Sequence, residues 1–192
     1  MKPMDPRLIA AFRAGNTAAF DTLYALFTRR VLAFARRLTG SQADAEDLTQ
    51  EAFLAAFRAH QEFRGEAQFL TWLFGIVVRR WRDGARRPRL STVSYLDADI
   101  DTMNSCGRGS DMAEETVRKT MLNLAIDALN PPLREAFLLV AMEGLNHREA
   151  AVIVGCPLGT IKWRVAEASH RLRNALQEAE ETEKQDVLCV LP

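Results

Sequence analysis

The sequence predicts an all-α protein of two small helical domains joined by a flexible linker. Three observations carry that expectation. Apolar residues recur at intervals of three and four through residues 5–87 and again through 114–178, which is the helical period. Between these blocks, residues 88–113 turn to Ser, Thr, Asp, Asn and Gly, as in NSCGRGSD, and the period is lost. Nowhere does apolar and polar character alternate long enough to make a strand, and no internal repeat is found.

Asn16 is placed to cap a first long helix through Phe20, Leu23, Tyr24, Phe27, Val31, Phe34 and Leu38, with Gly40 at its end. Ser41 and Asp44 have capping-box spacing and open a second helix carrying Leu48, Ala52, Phe53, Ala56 and Phe57. A polar stretch from Glu62 to Gln68 with Gly65 inside it precedes a third helical run, Phe69 to Arg87. In the second block, Val117, Met121, Leu124, Ile126 and Leu129 form one stripe, and Asn130-Pro131-Pro132 interrupts it. Residues 179–192 are an acidic tail with an apolar VLCVLP end, expected to fray.

Composition excludes several classes of function. In 192 residues, 25 Lys and Arg balance 25 Asp and Glu, so any contact with nucleic acid must come from charge gathered into patches. No signal-peptide core or membrane-length apolar run is present, which points to a cytoplasmic protein without membrane insertion. Cys106, Cys156 and Cys189 are far apart and odd in number, so neither a disulfide framework nor a cysteine zinc site is expected, and Cys156 reads as small and buried. His60, His147 and His170 are isolated and read as exposed. No nucleophile elbow, phosphate loop or HExxH is found, so nothing marks an enzyme, a metal centre or a cofactor.

Asn146 to Leu176 is the most informative segment. Asn146 and Glu149 make a capping box; Ala150, Ala151, Ile153 and Val154 give a buried face; Gly155 can turn at positive φ. Pro157 suits the first turn of a following helix whose inward stripe is Leu158, Ile161, Val165, Ala168 and Leu172. Gly159, Thr160, Lys162, Trp163, Arg164 and Glu167 are left near its exposed end, the arrangement by which a helix-turn-helix enters a major groove. Lys162, Arg164, Arg171 and Arg173 outnumber Glu167 by three charges, enough for phosphate contacts. Spacing alone fits equally well a helical hairpin whose charges are merely solvated.

Two further clusters stand out. Arg79, Arg80, Arg82, Arg86, Arg87 and Arg89 follow Phe63, Arg64, Phe69, Trp72 and Trp81, so cations are interleaved with aromatics as single-strand binding requires. The tryptophans read as core and the arginines as a nucleic-acid patch. Asp44, Glu46, Asp47 and Glu51 gather in the first turns of a helix, where negative charge is favoured without any metal.

DAEDLTQEAFLAAFRA (44–59), FRGEAQFLTWLFGIVVRRWRDGARR (63–87) and LNPPLREAFLLVAMEGLNHREAAVIVGCPLGTIKWRVAEASHRLRNAL (129–176) together resemble the extracytoplasmic-function (ECF) sigma factors of bacterial RNA polymerase. The resemblance implies a sigma region-two domain (5–87), a linker (88–113) and a sigma region-four domain (114–178). It implies that Asp47, Gln50, Glu51 and Phe53 dock on core RNA polymerase. Phe63, Arg64, Phe69, Arg79, Arg80, Arg86 and Arg87 would face the minus-10 element, and Pro157, Gly159, Thr160, Lys162, Trp163, Arg164, Glu167 and Arg171 the minus-35 duplex. Trp163, Glu167 and Arg79 depart from the residues usual in that family. Promoter DNA as duplex and melted strand, core polymerase and an anti-sigma factor are the implied partners of a free monomer, with no cofactor. The rival expectations are a dimeric helix-turn-helix regulator, and a helical enzyme using Asp44, Asp47 and Glu51 with a metal.

Overall fold

A computed structural model describes residues 4–65, 67–85 and 111–189. Eight α-helices account for nearly all of it: α1 (Pro6–Arg13), α2 (Thr17–Thr39), α3 (Gln42–Arg58), α4 (Phe69–Ala85), α5 (Asp111–Ala128), α6 (Pro131–Phe137), α7 (His147–Val154) and α8 (Leu158–Cys189). Arg86, Arg87, Arg89 and residues 88–110 of the linker lie outside the described residues.

The helix boundaries follow from local chemistry. Asp5 caps α1, and the Asn16 side chain accepts from the Ala19 amide at the start of α2. Gly40, at φ 71°, closes α2 in the left-handed conformation that an L side chain resists. The Ser41 hydroxyl accepts from the Asp44 amide to start α3. Asn130 caps α6, whose first residue is Pro131, where a missing amide costs nothing.

In the N-terminal half, α2, α3 and α4 pack around Leu23, Phe34, Leu38, Phe53, Leu73 and Phe74, all buried. Aromatic pairs bind the layers: Phe34 and Phe74 have centroids 4.6 Å apart, and Phe12 of α1 meets Phe69 edge-on at 5.2 Å. Phe69 and Trp81 are core as the periodicity predicts, with Trp72 packed half-buried against them. His60 is half-buried rather than exposed; its Nδ1 lies 2.8 Å from the Phe57 carbonyl and its ring stands edge-on to Phe12.

The C-terminal half folds α5 to α8 around Ile126, Leu133, Leu139, Val154, Ile161 and Leu172. Residues Leu138–Met142 continue α6 as a π turn, in which the Glu143 amide bonds to the Leu138 carbonyl five residues back at 2.9 Å. One expectation is corrected here. Leu158 is exposed, because α8 begins at that residue and its first turn projects beyond the core. α8 itself spans Leu158–Cys189 and so takes in most of the residues read as tail.

The halves pack on one another, α4 against α7 and α2 against α5, α6 and the π turn, and their buried side chains form one continuous cluster. Ile153 of α7, assigned to the interior of its own domain by periodicity, approaches the Gly75 backbone of α4.

Candidate nucleic-acid and polymerase interfaces

The helix-turn-helix forms as its residues predict. The Asn146 side chain accepts from the Arg148 and Glu149 amides at 2.9 and 3.0 Å, and the Glu149 carboxylate accepts from the Asn146 amide at 2.9 Å. Gly155 ends α7 at φ 70°, its amide bonded to the Ala151 carbonyl. Pro157 sits just before α8 rather than within it, and its carbonyl accepts from the Thr160 and Ile161 amides.

The face of α8 expected to read DNA is only partly free. Lys162 is exposed, and Trp163 is 61% exposed, an unusual state for an indole. Gly159 is exposed beside half-buried Thr160. Arg171 is already paired, donating from Nε to Glu167 at 2.7 Å one turn back. Arg164 points inward, with Nη1 3.5 Å from the Glu135 carboxylate of α6.

On α3, Asp47, Gln50 and Glu51 are exposed along one face with Leu54, while Phe53 is buried beneath them. Among the described residues no group of three His, Cys, Asp or Glu side chains is placed to hold a metal ion. In the minus-10 set, Arg64, Arg79 and Arg80 are exposed, whereas Phe63 and Phe69 lie in the core, 5.6 Å apart. Those two rings shape the site from below and do not present a surface themselves.

Sequence reasoning missed the residues that join the halves. Arg82 donates from Nε and Nη2 to both oxygens of Glu135, at 2.8 and 2.5 Å, and from Nη1 to the Val154 carbonyl at 2.8 Å. Arg30 donates to the Glu143 carboxylate at 2.7 Å and to its carbonyl at 2.9 Å. Arg134 reaches the Leu38 carbonyl at 3.1 Å and also serves the end of α5, bonding to the Ile126, Asp127 and Leu129 carbonyls. Burial pulls the Arg134 guanidinium below its ordinary value and pushes the Asp127 carboxyl up; their mutual attraction opposes both shifts. The available signal was Glu135 and Glu143, acids set within the apolar runs LREAFLL and VAMEGL. A cleft of about 360 Å³ lies between Trp81, Arg82, Glu135, Arg164 and Cys156, which is half-buried rather than fully enclosed.

Comparison with known proteins places this arrangement. The Sigma-70 region 2 family matches residues 23–90 and the Sigma-70, region 4 family matches residues 119–172. Both modules in that order on one chain define a sigma-70-type transcription initiation factor. The RNA polymerase sigma-H factor of Pseudomonas aeruginosa is 32% identical over 186 residues, covering 90% of this chain and 94% of the relative. The ECF RNA polymerase sigma-E factor of Escherichia coli K12 is 31% identical over 182 residues with the same coverage. The chain belongs to the ECF sigma factors, and it directs RNA polymerase to promoters for the initiation of transcription. In structure it resembles CnrH in complex with the cytosolic domain of CnrY, with TM-score 0.65 and 25% identity over 89% of this chain and 96% of that one. It shares a fold with the sigma factor RpoE from Bartonella quintana, solved with the anti-sigma factor NepR, at TM-score 0.62 and 24% identity over 82% and 96%. No helix among the described residues is long and apolar enough to cross a membrane.

Proposed function

We propose that the two halves divide promoter recognition between them, residues 5–87 acting on core polymerase and the melted minus-10 strand and 114–178 on the minus-35 duplex. The observation that carries this reading is the free N-terminal end of α8, where Thr160, Lys162 and Trp163 follow a capped three-residue turn. A helix presented so fits the major groove, with Lys162 on phosphate and Trp163 against base edges or sugar. The carboxylates of Asp47 and Glu51 suit a basic polymerase surface, steering encounter more than adding affinity. Arg79 and Arg80, with Arg86 and Arg87 beyond them in sequence, supply the attraction for a displaced strand, and a flipped base repays its unstacking in an apolar pocket.

The protein carries no covalent chemistry in this scheme. The solved neighbours CnrH and RpoE were captured with CnrY and an anti-sigma factor, which supports an anti-sigma partner here, with Trp163 as a contact. When free, the chain is a cytoplasmic monomer. Transcription by purified core RNA polymerase from a pool of randomised promoter fragments tests the proposal. Defined start sites that appear only with this protein, and shift in sequence preference with Trp163→Ser, are the expected result. Duplex binding by the isolated protein without any new start site would instead favour a helix-turn-helix regulator.

A further inference from the structure

One buried carboxylate joins the two helices assigned to DNA. Glu135, whose side chain is 3% exposed, takes a two-pronged contact from Arg82 at the basic end of α4 and faces Arg164 on the recognition helix. The third Arg82 bond, to the Val154 carbonyl, places its charge at the C-terminal end of α7, where the helix dipole favours a cation. Arg30 with Glu143 makes a second cross-domain clasp.

We infer that Glu135 and Glu143 form a salt-sensitive latch that holds the two halves together in the free protein and must release Arg82, Arg30 and Arg164 before a promoter can be engaged. The geometry requires release. Minus-10 and minus-35 elements lie about 25 base pairs apart, roughly 85 Å at 3.4 Å per pair. Helices that share one carboxylate cannot sit on both. The chemistry permits release as well. Arg82 and Arg30 remain 34% and 40% exposed at their side chains, so water and salt reach the clasps. On opening, both carboxylates gain hydration, and DNA phosphates offer the freed arginines the same bidentate geometry that Glu135 gave Arg82. Glu135 thus stands in for a phosphate while the protein is idle.

The significance of the latch rests on the DNA roles proposed above, but its test uses no DNA, so a failure of one is distinguishable from a failure of the other. Small-angle scattering of the full chain compares wild type with Arg30→Gln/Arg82→Gln, which cuts both clasps from the N-terminal side and leaves Arg164 on Glu135 and Arg134 on the Leu38 carbonyl. Each half has an expected radius of gyration of ~12 Å, so separation should raise that of the whole by about 5 Å. The expected result is this rise with unchanged helical circular dichroism. Identical scattering curves for the two folded proteins would overturn the latch. If the double variant loses helicity, a salt titration of wild type from ~0.05 to ~0.5 M decides, because it shortens the screening length about threefold. Expansion with salt supports the latch; a constant radius refutes it.

Discussion

Arginines on the reading helix are not equivalent to its lysine, because their partners in the free protein differ. Lys162 is exposed, so Lys162→Ala should leave the melting temperature unchanged while flattening the salt dependence of promoter binding by about 0.9, the share of a single phosphate neutralised by one cation. Filter binding across a salt series checks this. Arg164→Ala should do the same to DNA binding and also lower stability by about 1 kcal/mol, since Glu135 keeps Arg82 but loses its second cation. Asp127 makes a separate case. Its folded pKa is raised above the unfolded one, so the contribution of the protonated form is fully present below the unfolded pKa and is lost as pH rises through the folded value. Asp127→Asn should therefore raise the melting temperature modestly at pH 7. Below the ordinary carboxylate range of about 3.9 the difference should vanish, which thermal melts at both pH values would show.

Elements were the most legible scale, because their ends are set by neighbours within four residues. Asn16, Ser41, Asn130 and Asn146 all cap helices, and Gly40 and Gly155 both turn in the left-handed region. Gly155 and Gly75 differ in what a side chain would cost. Gly155→Ala would meet open space yet pay about 1–2 kcal/mol for its positive φ, a loss that denaturant unfolding would reveal. Gly75 lies within α4, where a Cβ would rest 3.9 Å from Ile153, so Gly75→Ala should gain up to about 1 kcal/mol in the same assay. Periodicity misplaced Leu158 because a stripe does not say how far a helix end overhangs its core. It could not place Phe63 either: an aromatic next to a charged patch looks alike whether it lines the surface or supports it from beneath.

At the scale of the whole molecule the sequence is nearly silent, and the reason is separation. Arg82 and Glu135 are 53 residues apart and Arg30 and Glu143 are 113 apart, so no local pattern links them. Both halves announce themselves by period, but a period describes one helix against one core and cannot say that Ile153 packs across a domain boundary. Packing of α4 on α7 is where Gly75 matters: Gly75→Phe should wedge the halves apart, and scattering should report expansion while Gly75→Ala does not. The π turn at Leu138–Met142 bears on descent. One residue added to an α-helix whose ends keep their places is absorbed as such a turn, so removing one would restore the α pattern and leave the flanking chain where it is. Glu143 leaves that turn facing Arg30, so a single-codon deletion at Val140 should remove the turn while the clasp, the capping box, the glycine turn and α8 keep their places. The length of this helix is thus free to drift by one residue among related chains without loosening the closure or displacing α8.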